Sequence, residues 1–182
     1  MQEEDFARVL AAAQTGAGWA FERLYRSLAP AVGGYLRVQG APDTDDQVSE
    51  VFLGVFRGIA QFTGDERQFR SWVFTIAHRR LVDGRRQAAR RPLPTTLAPD
   101  DNVFGGDVEA DAFHAIGTER VRMLCETLVP DQRDVLLLRL VGGLTVDEVA
   151  KTLGKSRGAT KALQRRGLIA VRRQLASEGV PL

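Results

Sequence analysis

Apolar residues recur at helical spacing along almost the whole chain. Phe6, Val9, Leu10 and Ala13 mark one face of a first helix, closed by Gly16 and Gly18. Phe21, Leu24, Tyr25 and Leu28 predict a second helix from about Trp19 that stops before Pro30. A third, weakened by Gly33 and Gly34, runs from Ala31 to Val38. Pro42 and Asp43 open a long helix in which Val48, Val51, Phe52, Val55, Phe56 and Ile59 form a stripe wide enough for the centre of a bundle. After a polar loop over 64–68 another helix begins near Phe69, with Trp72, Val73, Ile76, Ala77 and Leu81 inward. Its other face carries His78, Arg79, Asp83, Arg85 and Arg86. No period survives over 91–111, where Pro92, Pro94 and Pro99 sit among Thr, Asp and Gly. It returns near Ala112 with Ile116, Val121, Leu124 and Leu128, and a further helix runs from Pro130 to about Val141 before Gly142-Gly143. Strand-like alternation and internal repeats are missing from the pattern. The expected fold is all-α: two small helical bundles, 1–91 and 112–182, joined by a flexible acidic and proline-rich linker over 92–111.

The most specific local pattern lies between Leu144 and Gln174. Thr145 with Glu148 makes a capping box, so a helix starts there. Val146, Val149, Ala150 and Leu153 follow the helical template, and Gly154 is a natural left-handed stop. Ser156 caps the next helix after a turn of two residues. A short helix, a tight glycine turn and a second helix are what a DNA-reading helix-turn-helix requires. On the second helix Arg157, Lys161 and Arg165 lie four apart in one row, and Ser156 and Gln164 add hydrogen-bonding groups. Arginine and lysine suit guanine edges or phosphate oxygens. A plain helical hairpin with a basic solvent face is the alternative that this segment alone leaves open.

Charge strengthens the DNA reading. The 182 residues are 44% apolar and 26% charged, ordinary for a globular protein, and the net charge is only +2. That small number hides a segregation: residues 69–91 carry net +6, residues 92–119 net −6 without one lysine or arginine, and residues 120–182 net +6. Two basic blocks flanking an acidic segment suggest two surfaces for a polyanion. A mobile acidic tether lets the two surfaces approach each other and implies variable spacing in the free chain.

Enzyme chemistry finds little support. Gly154-Lys155-Ser156 ends like a phosphate loop, but the glycine needed five residues earlier is Val149. Asp43, Asp45 and Asp46 sit at a helix start, where carboxylates meet the helix dipole favourably. Two histidines and one cysteine are too few soft ligands for a structural zinc site, and Cys125 at an apolar-periodic position reads as a buried thiol. No catalytic residue, metal, cofactor or small-molecule substrate is expected. The lone cysteine fits a reducing cytosol, the acidic amino terminus is unlike a secretory signal, and no apolar run nears the roughly 20 residues of a membrane span. A cytoplasmic protein without direct membrane insertion is the expectation.

Both halves match one family. Leu128-Val129-Pro130-Asp131-Gln132-Arg133-Asp134-Val135-Leu136-Leu137-Leu138-Arg139, followed by Gly143-Leu144-Thr145 and Asp147-Glu148-Val149-Ala150, resembles the promoter-binding carboxy-terminal domain of bacterial sigma factors. Ala20-Phe21-Glu22-Arg23-Leu24-Tyr25 resembles the start of their amino-terminal domain. Asp45-Asp46-Gln47-Val48-Ser49-Glu50-Val51-Phe52 is similar to the family's D-x-V-x-E-x-F core-binding helix. Phe69-Arg70-Ser71-Trp72-Val73-Phe74-Thr75-Ile76-Ala77 with Asp83, Arg85 and Arg86 resembles its F-R-x-W segment, although Arg79 replaces the family's asparagine and Thr160 the valine of the recognition helix. Two domains and a short linker resemble the extracytoplasmic-function class. The resemblance implies a sigma factor whose partners are core RNA polymerase, promoter DNA and a cognate anti-sigma factor. It implies core-polymerase contacts at Asp46, Gln47, Glu50 and Arg57. For the single-stranded minus-ten element it implies Arg70, His78, Arg79, Arg85 and Arg86, and for the minus-thirty-five duplex it implies the row of Ser156, Arg157, Lys161, Gln164 and Arg165. A conventional helix-turn-helix transcriptional regulator is the rival reading. It leaves the second basic helix and the 45–52 motif unexplained.

Overall fold

The amphipathic stripes fold as helices in a computed structural model that describes residues 3–90 and 121–177. The first bundle consists of α1 (Glu3–Gln14), α2 (Gly18–Val38), α3 (Thr44–Gly58) with a 3-10 turn at Ile59–Gln61, and α4 (Glu66–Arg90). Val9, Leu24, Val32, Leu36, Val51, Val55, Val73 and Ala77 are fully buried between them. Aromatic rings knit the bundle at the turn into α4: Phe62 stacks on Trp72 at 5.0 Å, and Phe69 meets Phe6, Phe62 and Trp72.

Several sequence expectations change here. The predicted break before Pro30 does not occur, and α2 runs through it. Pro30 lies on the exposed face, where the carbonyl it leaves unpaired is open to water, while Leu24, Leu28, Val32, Tyr35 and Leu36 keep one uninterrupted buried stripe. Helix α4 begins at Glu66, inside the expected polar loop. Asp65 and Gln68 form a reciprocal cap: the Gln68 N–H donates to Asp65 Oδ1 at 2.7 Å, and the Asp65 N–H to Gln68 Oε1 at 2.9 Å. Phe56 does not join the core stripe. It is 54% exposed and meets Phe21 edge-on at 5.1 Å. His78, expected on the basic face, is buried. Val121 is 38% exposed, while Cys125 and Leu128 carry the buried side of that segment.

The second group comprises helical residues 121–126 (α5), α6 (Pro130–Leu140), α7 (Val146–Leu153) and α8 (Arg157–Ser177). Four consecutive residues of α6, Val135 to Leu138, are buried, as expected of a helix covered on most sides. Arg133 donates from Nε to the Cys125 carbonyl at 2.9 Å and so closes the end of α5. Between α7 and α8 the helix-turn-helix is as predicted. Thr145 and Glu148 cap α7 reciprocally, Gly154 turns at φ 62°, and Ser156 Oγ accepts from the Ala159 N–H at 3.1 Å. Helix α7 also packs on α4, so the two bundles touch. The expected linker over 92–111, and Ile116, lie outside the described residues.

Candidate nucleic-acid and polymerase interfaces

The α8 row has the geometry its spacing implies. Arg157, Lys161 and Arg165 are all exposed on the amino-terminal turns of α8, with Ser156 exposed beside them and Gln164 half-buried. Thr160, the residue in place of valine, is fully buried and donates its hydroxyl to the Ser156 carbonyl at 3.0 Å. It therefore anchors the helix and leaves the row free to face outward. Arg157 Nε lies 3.2 Å from Asp147 Oδ1, an exposed pair that water screens strongly.

On α4 the five expected minus-ten residues divide. Arg79 is exposed and lines a cleft of about 240 Å³ with Ser71, Trp72, Thr75, Glu148, Lys151 and Thr152. Arg86 is exposed and lies 3.8 Å from Asp83. Arg70 is half-buried over the Phe74 ring and donates to the carbonyls of Val141 and Gly142 at 2.6 and 3.2 Å. Arg85 donates to the Gln39 carbonyl at 2.6 Å. His78 does not face solvent at all: its Nδ1 lies 2.8 Å from the Tyr35 hydroxyl. Burial pushes the imidazole below its ordinary value, Asp134 opposes this and Arg85 adds to it. Burial, with Asp134 adding, pushes the Tyr35 phenol far above its ordinary value. A neutral phenol and a neutral imidazole therefore share one buried hydrogen bond. Trp72 is half-buried in the aromatic cluster, and a Cβ on Gly58 would come within 2.9 Å of its ring. Packing accounts for its position.

On α3 the expected polymerase contacts also divide. Asp46 and Arg57 are exposed. Glu50 pairs with Arg80 of α4 at 3.2 Å. Gln47 turns back on its own helix and donates to the Pro42 carbonyl at 2.9 Å. Sequence reasoning missed Leu53 and Phe56, which are 45% and 54% exposed. Asp46, Glu50, Leu53 and Arg57 follow one another at helical intervals, so they share one face. The signal was present in that spacing, but Phe56 also fits the wide stripe, which concealed it. Cys125 is buried and its thiol is pushed up by that burial, against the opposing charge of Arg133, so it is a poor nucleophile.

The described residues thus combine a helical fold, a capped helix-turn-helix, a second basic helix and a polar-apolar face on α3, the pattern of a helix-turn-helix DNA-binding protein. Comparison with known proteins narrows the class. The sigma-70 region 2 family model matches residues 23–91, and the sigma-70 region 4 model matches residues 126–173, together more than half of the chain. The chain is 34% identical over 170 residues to the ECF RNA polymerase sigma factor BldN of Streptomyces coelicolor, covering 91% of this chain and 64% of BldN. It is 28% identical over 186 residues to the ECF RNA polymerase sigma factor SigD of Mycobacterium tuberculosis, covering 98% of this chain and 88% of SigD. The fold resembles that of CnrH, solved in complex with the cytosolic domain of CnrY, with a TM-score of 0.63 at 24% identity over 93% of this chain and 96% of that one. The chain belongs to the extracytoplasmic-function RNA polymerase sigma factors. It is a promoter-directing sigma factor, a class of non-enzymatic regulators.

Proposed function

We propose that the chain binds core RNA polymerase through the exposed face of α3 and reads promoters with two separate DNA surfaces. Asp46, Glu50 and Arg57 supply charge on the polymerase face, and Leu53 and Phe56 supply apolar contact. The α8 row reads the minus-thirty-five duplex. The basic side of α4, with Arg70, Arg79, Arg85 and Arg86, holds the melted minus-ten strand, where single-stranded DNA needs a cationic track beside aromatic or apolar support. The single observation that carries this reading is the outward row of Arg157, Lys161 and Arg165 on a helix whose entry is fixed by the capped α7 and the Gly154 turn. The domain limits 1–91, 92–111 and 112–182 follow from the same division. His78 and Gln47 act inside the fold in this reading, through the Tyr35 hydroxyl and the Pro42 carbonyl. No catalytic step or cofactor is part of the proposal, and the chain works in the cytoplasm. By analogy with CnrH, solved with the cytosolic domain of CnrY, a cognate anti-sigma protein restrains it.

The test compares Arg79→Ala with Arg157→Ala on a duplex promoter and on the same promoter with its minus-ten region pre-melted. Pre-melting rescues initiation by Arg79→Ala in part and leaves the Arg157→Ala defect intact. Equal rescue of both variants contradicts the division of labour.

A further inference from the structure

The two bundles meet at the side of α4 that the proposed reading assigns to single-stranded DNA, with Arg70 of that set in direct contact, and the partner groups are acceptors. Arg70 donates to the Val141 and Gly142 carbonyls, at the negative end of α6. Arg67 reaches Glu148 at 3.2 Å, bonding both carboxylate oxygens. Gln39 donates to Asp134 Oδ1 at 2.6 Å and is itself held by Arg85. The seat is shaped as well as charged. A Cβ on Gly142 would fall 2.7 Å from the Leu138 carbonyl within its own turn and 3.1 Å from Phe74 Cγ, so glycine both permits the turn and lets it lie close against the α4 ring. Beside it the Thr75 and Thr152 hydroxyls lie 3.1 Å apart across the junction. The α8 row is on another side and stays exposed.

We infer that α6 and α7 act as an intramolecular stand-in for melted promoter DNA. Docked on α4, they engage Arg67 and Arg70 with carboxylate and carbonyl oxygens in place of phosphates, and Asp134 holds the Gln39 side chain that in turn occupies Arg85. The free chain is thereby closed toward the minus-ten strand while its duplex-reading row remains open. The inference rests on the proposed reading of α4 as the single-strand surface. Arg67 is half-exposed and its ion pair is weak in water, so closure depends on several such contacts acting with the Phe74–Gly142 seat and is reversible. High salt loosens the ionic part.

A disulfide trap tests the inference. In the full chain carrying Thr75→Cys and Thr152→Cys, diamide should link the two new thiols in most molecules, mapped by peptide mass against buried Cys125. The linked protein should lose initiation with core polymerase at least tenfold, keep its affinity for minus-thirty-five duplex, and recover on reduction. Failure of the reduced protein to initiate would count against the sigma-factor reading or the variant itself. An active reduced form whose thiols do not pair, or which initiates equally well when linked, overturns closure. A second comparison uses a fluorescein-labelled random single-stranded 20-mer. Asp134→Asn with Glu148→Gln, which keeps a capping side chain on α7, should bind it several-fold tighter than Glu126→Gln with Asp131→Asn, which removes equal charge away from the junction. Equal binding by the two double variants overturns the stand-in.

Discussion

Burial holds the His78 imidazole neutral, with the Tyr35 hydroxyl from α2, Asp134 from α6 and Arg85 from α4 as its polar surroundings. Because its folded value lies below the ordinary one, the folded chain binds fewer protons near pH 6 than the unfolded chain. This stabilising contribution is complete above about pH 6.5 and is lost as pH falls from there toward the folded value. The stability advantage of the wild type over His78→Gln should therefore shrink between pH 7.5 and 5, by no more than about 1.4 kcal/mol per pH unit. Unfolding midpoints in urea across that range check it, and a pH-independent difference contradicts it. Glu148 has the opposite sign. Burial raises its carboxyl, but the Thr145 N–H and hydroxyl, the nearby Ser71 hydroxyl and Arg67 together bring it below the ordinary value. Its contribution is present above that ordinary value and is lost as pH falls through the lower folded one. The exposed row of Arg157, Lys161 and Arg165 was legible residue by residue, since a spacing of four needs only a helix. The burial of His78 was not, because its cover comes from Tyr35 and Asp134, 43 and 56 positions away in the sequence numbering.

Helix α7 illustrates the scale at which sequence speaks most clearly. Its cap, its stop and its inward face are set by neighbours within four residues, so Thr145, Glu148 and Gly154 could be read directly. Thr145→Ala should cost about 1 kcal/mol of stability, measured by denaturant unfolding, because the Glu148 N–H loses its acceptor. An unchanged midpoint contradicts the capping role. The same rule applied to Asp65 and Gln68 would have started α4 at Glu66, but the run Gly64 to Gln68 reads as polar loop until that pair is noticed. Pro30 misled for a different reason: a local penalty was outweighed by a buried stripe that extends on both sides of it. On α3 the proposed polymerase face predicts that Asp46→Lys with Leu53→Ala and Phe56→Ala weakens holoenzyme assembly at least tenfold in co-migration with core polymerase. Helicity should stay unchanged, since all three side chains point mainly to solvent. Undiminished assembly with unchanged helicity contradicts that face.

At the scale of the whole molecule, the two basic blocks and the acidic stretch between them were plain from charge alone, and so was the all-helical class. The contact between the bundles was not. Its residues, Gln39, Arg67, Arg70, Thr75, Asp134, Gly142, Glu148 and Thr152, come from three helices and two connections and obey no common period. Sequence periodicity reports which face of a helix is covered and does not report by what. Duplex binding through the α8 row should weaken steeply with added salt, as phosphate contacts require, and Lys161→Ala should weaken it further, by about 1–3 kcal/mol if the side chain reads a base. Salt-insensitive binding would contradict a phosphate-driven surface. The central claim, that this chain confers promoter choice on RNA polymerase, is tested most directly by transcription of fragmented genomic DNA with core enzyme, with and without the purified chain, mapping every transcript start. The account predicts a discrete set of new starts that core alone ignores, sharing an upstream and a start-proximal sequence element, and sharply reduced by Arg157→Ala with Lys161→Ala. A start profile identical to that of core alone would contradict it, as would new starts indifferent to that double substitution.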